Sequence, residues 1–206
     1  MSLGFVFSPG WSFGTDFFKP LAKALSGYRC VYLEDKPDLS SGTWIGIGHS
    51  LGFSRLLSLP LQGFISLSGF VRFCAHSPSQ AGTAIRVMDR MIAKFEIDPK
   101  AVLETFYKQA ALEKPLTDPF IRFNKGQLLG DLEFMKKMDF TSELRALNAP
   151  VLSLAAKDDL IVPFALSQEN FESSIVLEKG GHGMGYTHAD WCANKIKNWI
   201  INDLNF

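Results

Sequence analysis

The amino-acid sequence predicts an α/β fold: a reduced, mostly parallel sheet of about six strands flanked by helices, with a small helical insertion after the fourth strand. Three observations point there. Short apolar runs rich in strand formers alternate with longer stretches of helical periodicity, the pattern of a parallel sheet wrapped by helices. The alternation breaks between about residues 70 and 148, where only helical patterns occur, and then resumes. One strand-to-helix junction, Gly48-His49-Ser50-Leu51-Gly52, sets two glycines around a serine. A single domain over residues 1–206 is expected, with residues 70–148 inserted as a lid; that length is enough to bury a core.

The elements follow in order. Leu3 to Phe7 reads as a strand, closed by the turn Ser8-Pro9-Gly10. Thr15 or Asp16 is positioned to cap a helix reaching about Ser26, because Phe17, Leu21 and Leu25 fall on one face. Cys30 to Leu33 is a second strand and Trp44 to Gly48 a third, which runs through the Ser50 turn into a helix ending near Ser58. Gly63 to Leu67 is the fourth. In the insertion, Ala84 to Phe95 gathers Val87, Met88, Met91, Ile92 and Phe95 on one side. Asp98-Pro99 supplies an N-cap followed by Pro at the first helical position, opening a helix to about Leu112. One or two helices are expected between Phe120 and Leu147. Strands at Val151 to Ala155 and Ser174 to Leu177, a helix near Phe164 to Asn170 and a closing helix from Ala189 to Ile201 complete the chain.

Composition narrows the function classes. Lys plus Arg and Asp plus Glu number 21 each, so the formal net charge is zero and no global attraction to nucleic acid or an anionic membrane is expected. Cys30, Cys74 and Cys192 lie far apart without metal-ligand spacing, which reads as buried thiols; no metal and no cofactor are implied. No run reaches the roughly 18 apolar residues of a membrane helix. The N-terminal segment has neither the charge nor the apolar stretch of a signal peptide, so a cytoplasmic protein is expected; a monomer is expected as well.

The chemistry gathers at Ser50. A strand-to-helix turn this tight holds its central residue at strained dihedrals, exposes the serine Oγ at the sheet edge, and needs glycine where backbones approach. The helix N-terminus behind it offers free N–H groups to a developing oxyanion. A serine hydroxyl needs a base, and the base needs an acid to fix its tautomer. His182 lies in the glycine-dense loop Lys179 to Gly185 after the last strand and is the candidate base; His188, at the start of the closing helix, reads as capping or packing. His49 reads as packed beneath the turn, since adjacent strand residues point to opposite faces. Both Asp158 and Asp159 end the strand from Val151. The pattern Asp159-Leu160-Ile161-Val162-Pro163 favours Asp159 as the acid, leaving Asp158 as a solvated turn carboxylate. The backbone N–H groups of Trp11 and Leu51 are the candidate oxyanion donors.

Taken together, Pro9-Gly10-Trp11, Gly48 to Gly52, Asp159 to Pro163 and Gly181-His182 resemble the α/β-hydrolase superfamily across essentially the whole chain. Within it, the segment from Ile85 to Gln109 resembles the arginine-bearing lid of the pimeloyl-[acyl-carrier protein] methyl ester esterases of biotin synthesis. The chain departs from that pattern at Pro9, where the family has His, at Phe53, where a further glycine is usual, and in a crossover from Leu33 to Trp44 too short for a helix. The resemblance implies a serine carboxylesterase acting on an acyl ester, with an acidic acyl-carrier protein as partner. Arg86, Arg90 and Lys94, spaced i, i+4, i+8, would grip the carrier. Phe70, Phe73 and Phe123, with Met91 and Phe95, would face the acyl chain. The alternatives are a general short-chain carboxylesterase or thioesterase on the same triad, and a non-catalytic binding protein of the same fold.

Overall fold

The computed structural model of the chain describes residues 3–112 and 115–204. In chain order its elements are β1 (Leu3–Ser8), α1 (Lys19–Ala24), β2 (Arg29–Tyr32), β3 (Thr43–His49), α2 (Leu51–Leu56) and β4 (Gly63–Leu67). There follow β5 (Cys74–Ala75), β6 (Thr83–Ala84), α3 (Ile85–Ile97), α4 (Pro99–Gln109), α5 (Pro119–Arg122), α6 (Lys125–Lys137) and α7 (Thr141–Arg145). The chain closes with β7 (Val151–Ala156), α8 (Phe164–Asn170), β8 (Ile175–Leu177), α9 (Met184–Thr187) and α10 (Ala189–Asp203).

The main sheet has six strands in the order β2-β1-β3-β4-β7-β8, and every neighbouring pair is parallel. Both faces are covered, so its strands are apolar on both sides, as parallel sheets require. Phe5, Phe7, Ile45, Ile47, Ile65 and Leu67 point to one face and pack with α1, α10 and the inserted helices. Val6, Trp44 and Phe64, at alternate positions, point to the other and meet Phe53 and Leu56 of α2 and Phe171 after α8. Because the strands are parallel, the loops following β1, β3, β7 and β8 emerge at the same edge of the sheet, where a site can be assembled.

The structure corrects the sequence reading in several places. The first helix is not capped by Thr15 or Asp16: a single 3-10 turn over Thr15–Phe18 comes first, with Gly14 at its N-cap, and α1 begins with Pro20 in its first turn. The Asp16 carboxylate instead accepts the Thr117 hydroxyl at 2.5 Å, tying this turn to the insertion. The region after β4 is not purely helical. Cys74 pairs with Thr83 and Ala75 with Ala84 in a two-stranded parallel ribbon. The buried Arg72 guanidinium donates to Cys74 O at 2.9 Å and Ala81 O at 3.2 Å and pairs with Glu169, which also accepts from Ala81 N. Three helices, not one or two, lie between residues 119 and 145. Val87 leaves the buried face of α3, at 48% exposure, while Met88, Ile92 and Phe95 stay on it. Asp98 caps α4 as the sequence predicts, accepting from Ala101 N at 3.0 Å. No described helix is long and apolar enough to cross a membrane.

Candidate active site

Ser50 sits between β3 and α2 at φ 54°, ψ −128°, a backbone conformation rare for any residue with a side chain. The two flanking glycines are dictated by contact rather than by turn propensity. A Cβ at Gly48 would lie 2.2 Å from the Phe53 Cα, and one at Gly52 would lie 1.9 Å from the Ser8 carbonyl oxygen. The β3–α2 turn is pressed against its own helix and against the end of β1, and only glycine fits at either position. The Ser50 N–H donates to Leu67 O at 3.1 Å, which joins the turn to the end of β4. Register brings the loop after β1 alongside: Ser8 pairs with Gly48, so Pro9 and Gly10 run beside His49 and Ser50.

Asp159 and His182 meet across the ends of β7 and β8. Asp159 Oδ2 lies 2.8 Å from His182 Nδ1, with both side chains out of solvent. Its other oxygen, Oδ1, accepts the N–H groups of Ile161 and Val162 at 2.8 Å each. The carboxylate is thus satisfied on both sides, and the imidazole is oriented with its Nδ1 side toward Asp159 and its Nε2 free. That Nε2 is buried and makes no hydrogen bond among the described residues, including to Ser50 Oγ.

Asp158 is not the free turn carboxylate the sequence suggests. Its Oδ1 accepts the N–H groups of Gly180 and Gly181 at 2.9 Å each, clamping the loop that carries His182. Burial raises its pKa, but hydrogen bonds from the N–H groups of Gly181, Gly180 and its own backbone, with the Lys179 charge, together hold the carboxyl below the ordinary value. His188 does not cap α10 through its side chain; its Nδ1 lies 2.9 Å from Thr187 Oγ1.

The loop after β1 turns at Gly10–Phe13, where Phe13 N–H donates to Gly10 O at 3.2 Å and Ser12 takes φ 62°. In a trans peptide the N–H points opposite to the C=O. That hydrogen bond therefore also fixes the direction of the Trp11 N–H. Neither the Trp11 nor the Leu51 N–H has a hydrogen-bond partner among the described residues. Helices of the insertion brace this loop. Trp11 Nε1 donates to Leu128 O at 2.8 Å, and the Tyr107 hydroxyl, its pKa pushed up to about 12 by burial, donates to Ser12 O at 2.8 Å.

Ser50 opens onto a cavity of about 690 Å³ between the sheet edge and the inserted helices. Its wall is mostly apolar, with Trp11, Phe73, Met88, Met91, Phe106 and Met135 among the lining residues. Of the residues expected to face an acyl chain, Phe73 and Met91 line the cavity. Phe70 and Phe95 are fully buried in the core behind it, and Phe123 lies beside a separate small cleft near Ser12 and Asp16. Arg90 and Lys94 stand at the cavity's edge, whereas Arg86 does not reach it; all three are exposed and none forms an ion pair among the described residues. Sequence reasoning missed the contribution of α4. Ala101, Thr105 and Gln109, an i, i+4, i+8 row that reads as a solvent face, look into the cavity.

The remaining polar chemistry is quiet. Burial raises the thiol pKa values of all three cysteines, to about 11 at Cys74 and about 12 at Cys192, so these are protonated and poorly nucleophilic. Among the described residues no group of three or more His, Cys, Asp and Glu side chains is arranged to hold a metal ion.

No family model matches the chain. It is similar to two bacterial proteins named carbamate hydrolase RutD. That of Pantoea ananatis is 32% identical over 78 residues, covering 35% of this chain and 28% of that protein. That of Escherichia coli is 24% identical over 165 residues, covering 70% and 58%. The chain thus spans less than two thirds of the length of these curated relatives. Among solved structures, the esterase EaEST from Exiguobacterium antarcticum superposes with a TM-score of 0.84 at 14% identity, over 98% of this chain and 92% of that one. Likeness at that identity establishes the fold, which is that of the α/β-hydrolases.

Proposed function

From an α/β-hydrolase fold with a buried Asp–His pair, we propose that the chain is a serine carboxylesterase for apolar acyl esters. Ser50 is the nucleophile, His182 the base and Asp159 the acid. One observation carries the reading: the serine held in strained backbone is also the one that opens into the apolar cavity, and its neighbour His49 lies against His182 of the buried Asp159–His182 pair. Ser50 Oγ attacks the ester carbonyl carbon while His182 Nε2 takes its proton. Asp159, already bonded to Nδ1, stabilises the imidazolium. The N–H groups of Trp11 and Leu51 receive the oxyanion. The tetrahedral intermediate collapses as the imidazolium returns its proton to the leaving alcohol. Water, deprotonated by His182, then attacks the acyl-serine, and the proton passes back to Ser50 as the carboxylic acid leaves. Residues 70–148 act as the lid that walls the acyl chain from water.

Hydrolysis of p-nitrophenyl acyl esters of increasing chain length tests this. Turnover that vanishes in Ser50→Ala supports the reading; full turnover in Ser50→Ala overturns it. A second, narrower reading is favoured by Arg90 and Lys94 at the cavity edge: a methyl ester of a diacid tethered to an acidic acyl carrier, with the cations gripping the carrier. A faster rate on the carrier-bound ester than on the free one, lost in Arg90→Ala/Lys94→Ala, supports it. Equal rates leave the general carboxylesterase.

A further inference from the structure

Resting on that reading, we propose that His49, the residue before the nucleophile, is a positioning residue that holds the His182 loop in register with Ser50. The two lie far apart in sequence, yet His49 Nε2 is 3.0 Å from the His182 backbone carbonyl. A carbonyl only accepts, so His49 carries its proton on Nε2 and donates it. Its ring is fully buried, stacked on Phe17 at 4.0 Å between centroids and 19° between planes, and 4.7 Å from the His182 ring.

The remaining ring nitrogen decides between packing and positioning. With Nε2 protonated, Nδ1 is a bare acceptor, and it is buried with no partner among the described residues. A ring kept only to stack on Phe17 would be better as phenylalanine, which leaves no buried polar atom unmet. What histidine adds at this position is the Nε2–H.

Four successive loop residues are tied: Gly180 and Gly181 by Asp158, His182 by His49, and Gly183, whose N–H donates to Ala110 O at 2.9 Å. Only the His49 tie comes from the segment that carries the nucleophile. It fixes the backbone of the base relative to the Ser50 turn, as proton transfer between them requires. Burial first, and the neighbouring His182 charge second, push the His49 pKa well below its ordinary value. His49 therefore stays neutral and adds no repulsion when the imidazolium forms on His182.

The test compares His49→Phe, which keeps the ring and removes the donor, with His49→Gln, which restores an N–H. In His49→Phe, kcat should fall about 10- to 100-fold with KM within about twofold, since a misaligned base costs turnover and not ground-state binding. His49→Gln should recover at least about tenfold of the loss. The low-field proton resonance of His182 Nδ1–H should broaden in His49→Phe and sharpen again in His49→Gln. This readout needs no turnover, so it separates failure of the positioning from failure of the esterase assignment. If His49→Phe does not fold, His49→Met against His49→Gln makes the same comparison. Wild-type kcat and an unchanged resonance in the donor-less variant, or Gln no better than the donor-less variant, overturns the proposal.

Discussion

Two aspartates stand side by side at the end of β7, and replacing each by asparagine separates their roles. In Asp159→Asn the amide oxygen can still accept the Ile161 and Val162 N–H groups that Oδ1 holds at 2.8 Å, so the turn survives. The amide NH2 replaces Oδ2 and faces His182 Nδ1 at 2.8 Å, donor against donor. The imidazole relieves this by moving its proton to Nε2, the nitrogen that the proposed mechanism needs to accept from Ser50. The wrong tautomer, together with the lost countercharge beneath the imidazolium, should lower kcat about ten-thousand-fold, as at other triads. That is roughly 5.5 kcal/mol of transition-state stabilisation. KM should hold, because Asp159 does not line the cavity. Asp158→Asn keeps an oxygen for Gly180 and Gly181 and touches no catalytic atom, so its kcat should stay within about fivefold of wild type, a loss under about 1 kcal/mol. The assay is p-nitrophenyl ester hydrolysis at neutral pH, with urea unfolding to show that both variants fold. Asp159→Asn within tenfold of wild type, or Asp158→Asn the more damaging, would refute the assignment.

Gly52→Ala should cost about 3 kcal/mol or more in urea unfolding, because its Cβ meets backbone that cannot yield. Gly130→Ala, on α6 with open space around it, should stabilise by about 0.5–1 kcal/mol; a neutral Gly52→Ala would contradict the packing of the Ser50 turn. The depressed pKa of Asp158 makes its clamp a contributor above the ordinary carboxylate range, lost as pH falls through its lower folded value. The gap in thermal midpoint between wild type and Asp158→Ala should therefore be open at neutral pH and close in acid; a gap that persists in strong acid would contradict this. Met135→Trp fills part of the cavity, and kcat/KM on a decanoyl ester should fall about tenfold or more while an acetyl ester is spared. Equal losses on both esters would mean the acyl chain lies elsewhere.

The six strands of the main sheet were legible because each is a short, largely apolar run rich in strand formers, and β4 and α8 fall at the residues the pattern marks. The ribbon of β5 and β6 was not legible: two residues per strand carry no periodicity, and it is held by Arg72 and Glu169, 97 residues apart. Asp158 read as a free carboxylate because its partners are backbone N–H groups of another loop, which no side-chain pattern announces. The role of α4 was hidden by its polar row. Periodicity separates wet faces from dry ones, and a cavity wall built of Ala101, Thr105 and Gln109 looks wet. Phe70 and Phe123 were misplaced for the converse reason: an aromatic in a lid segment reads the same whether it lines the cavity or backs it.

The central claim, that Ser50 is an activated nucleophile, is tested most directly by labelling with a fluorophosphonate probe and mapping the modified peptide by mass spectrometry. The account predicts one adduct, on Ser50, formed rapidly by the wild type, slowed at least about a hundredfold in His182→Ala and absent in Ser50→Ala. An unlabelled wild type, or an adduct on any other residue that survives Ser50→Ala, would contradict it.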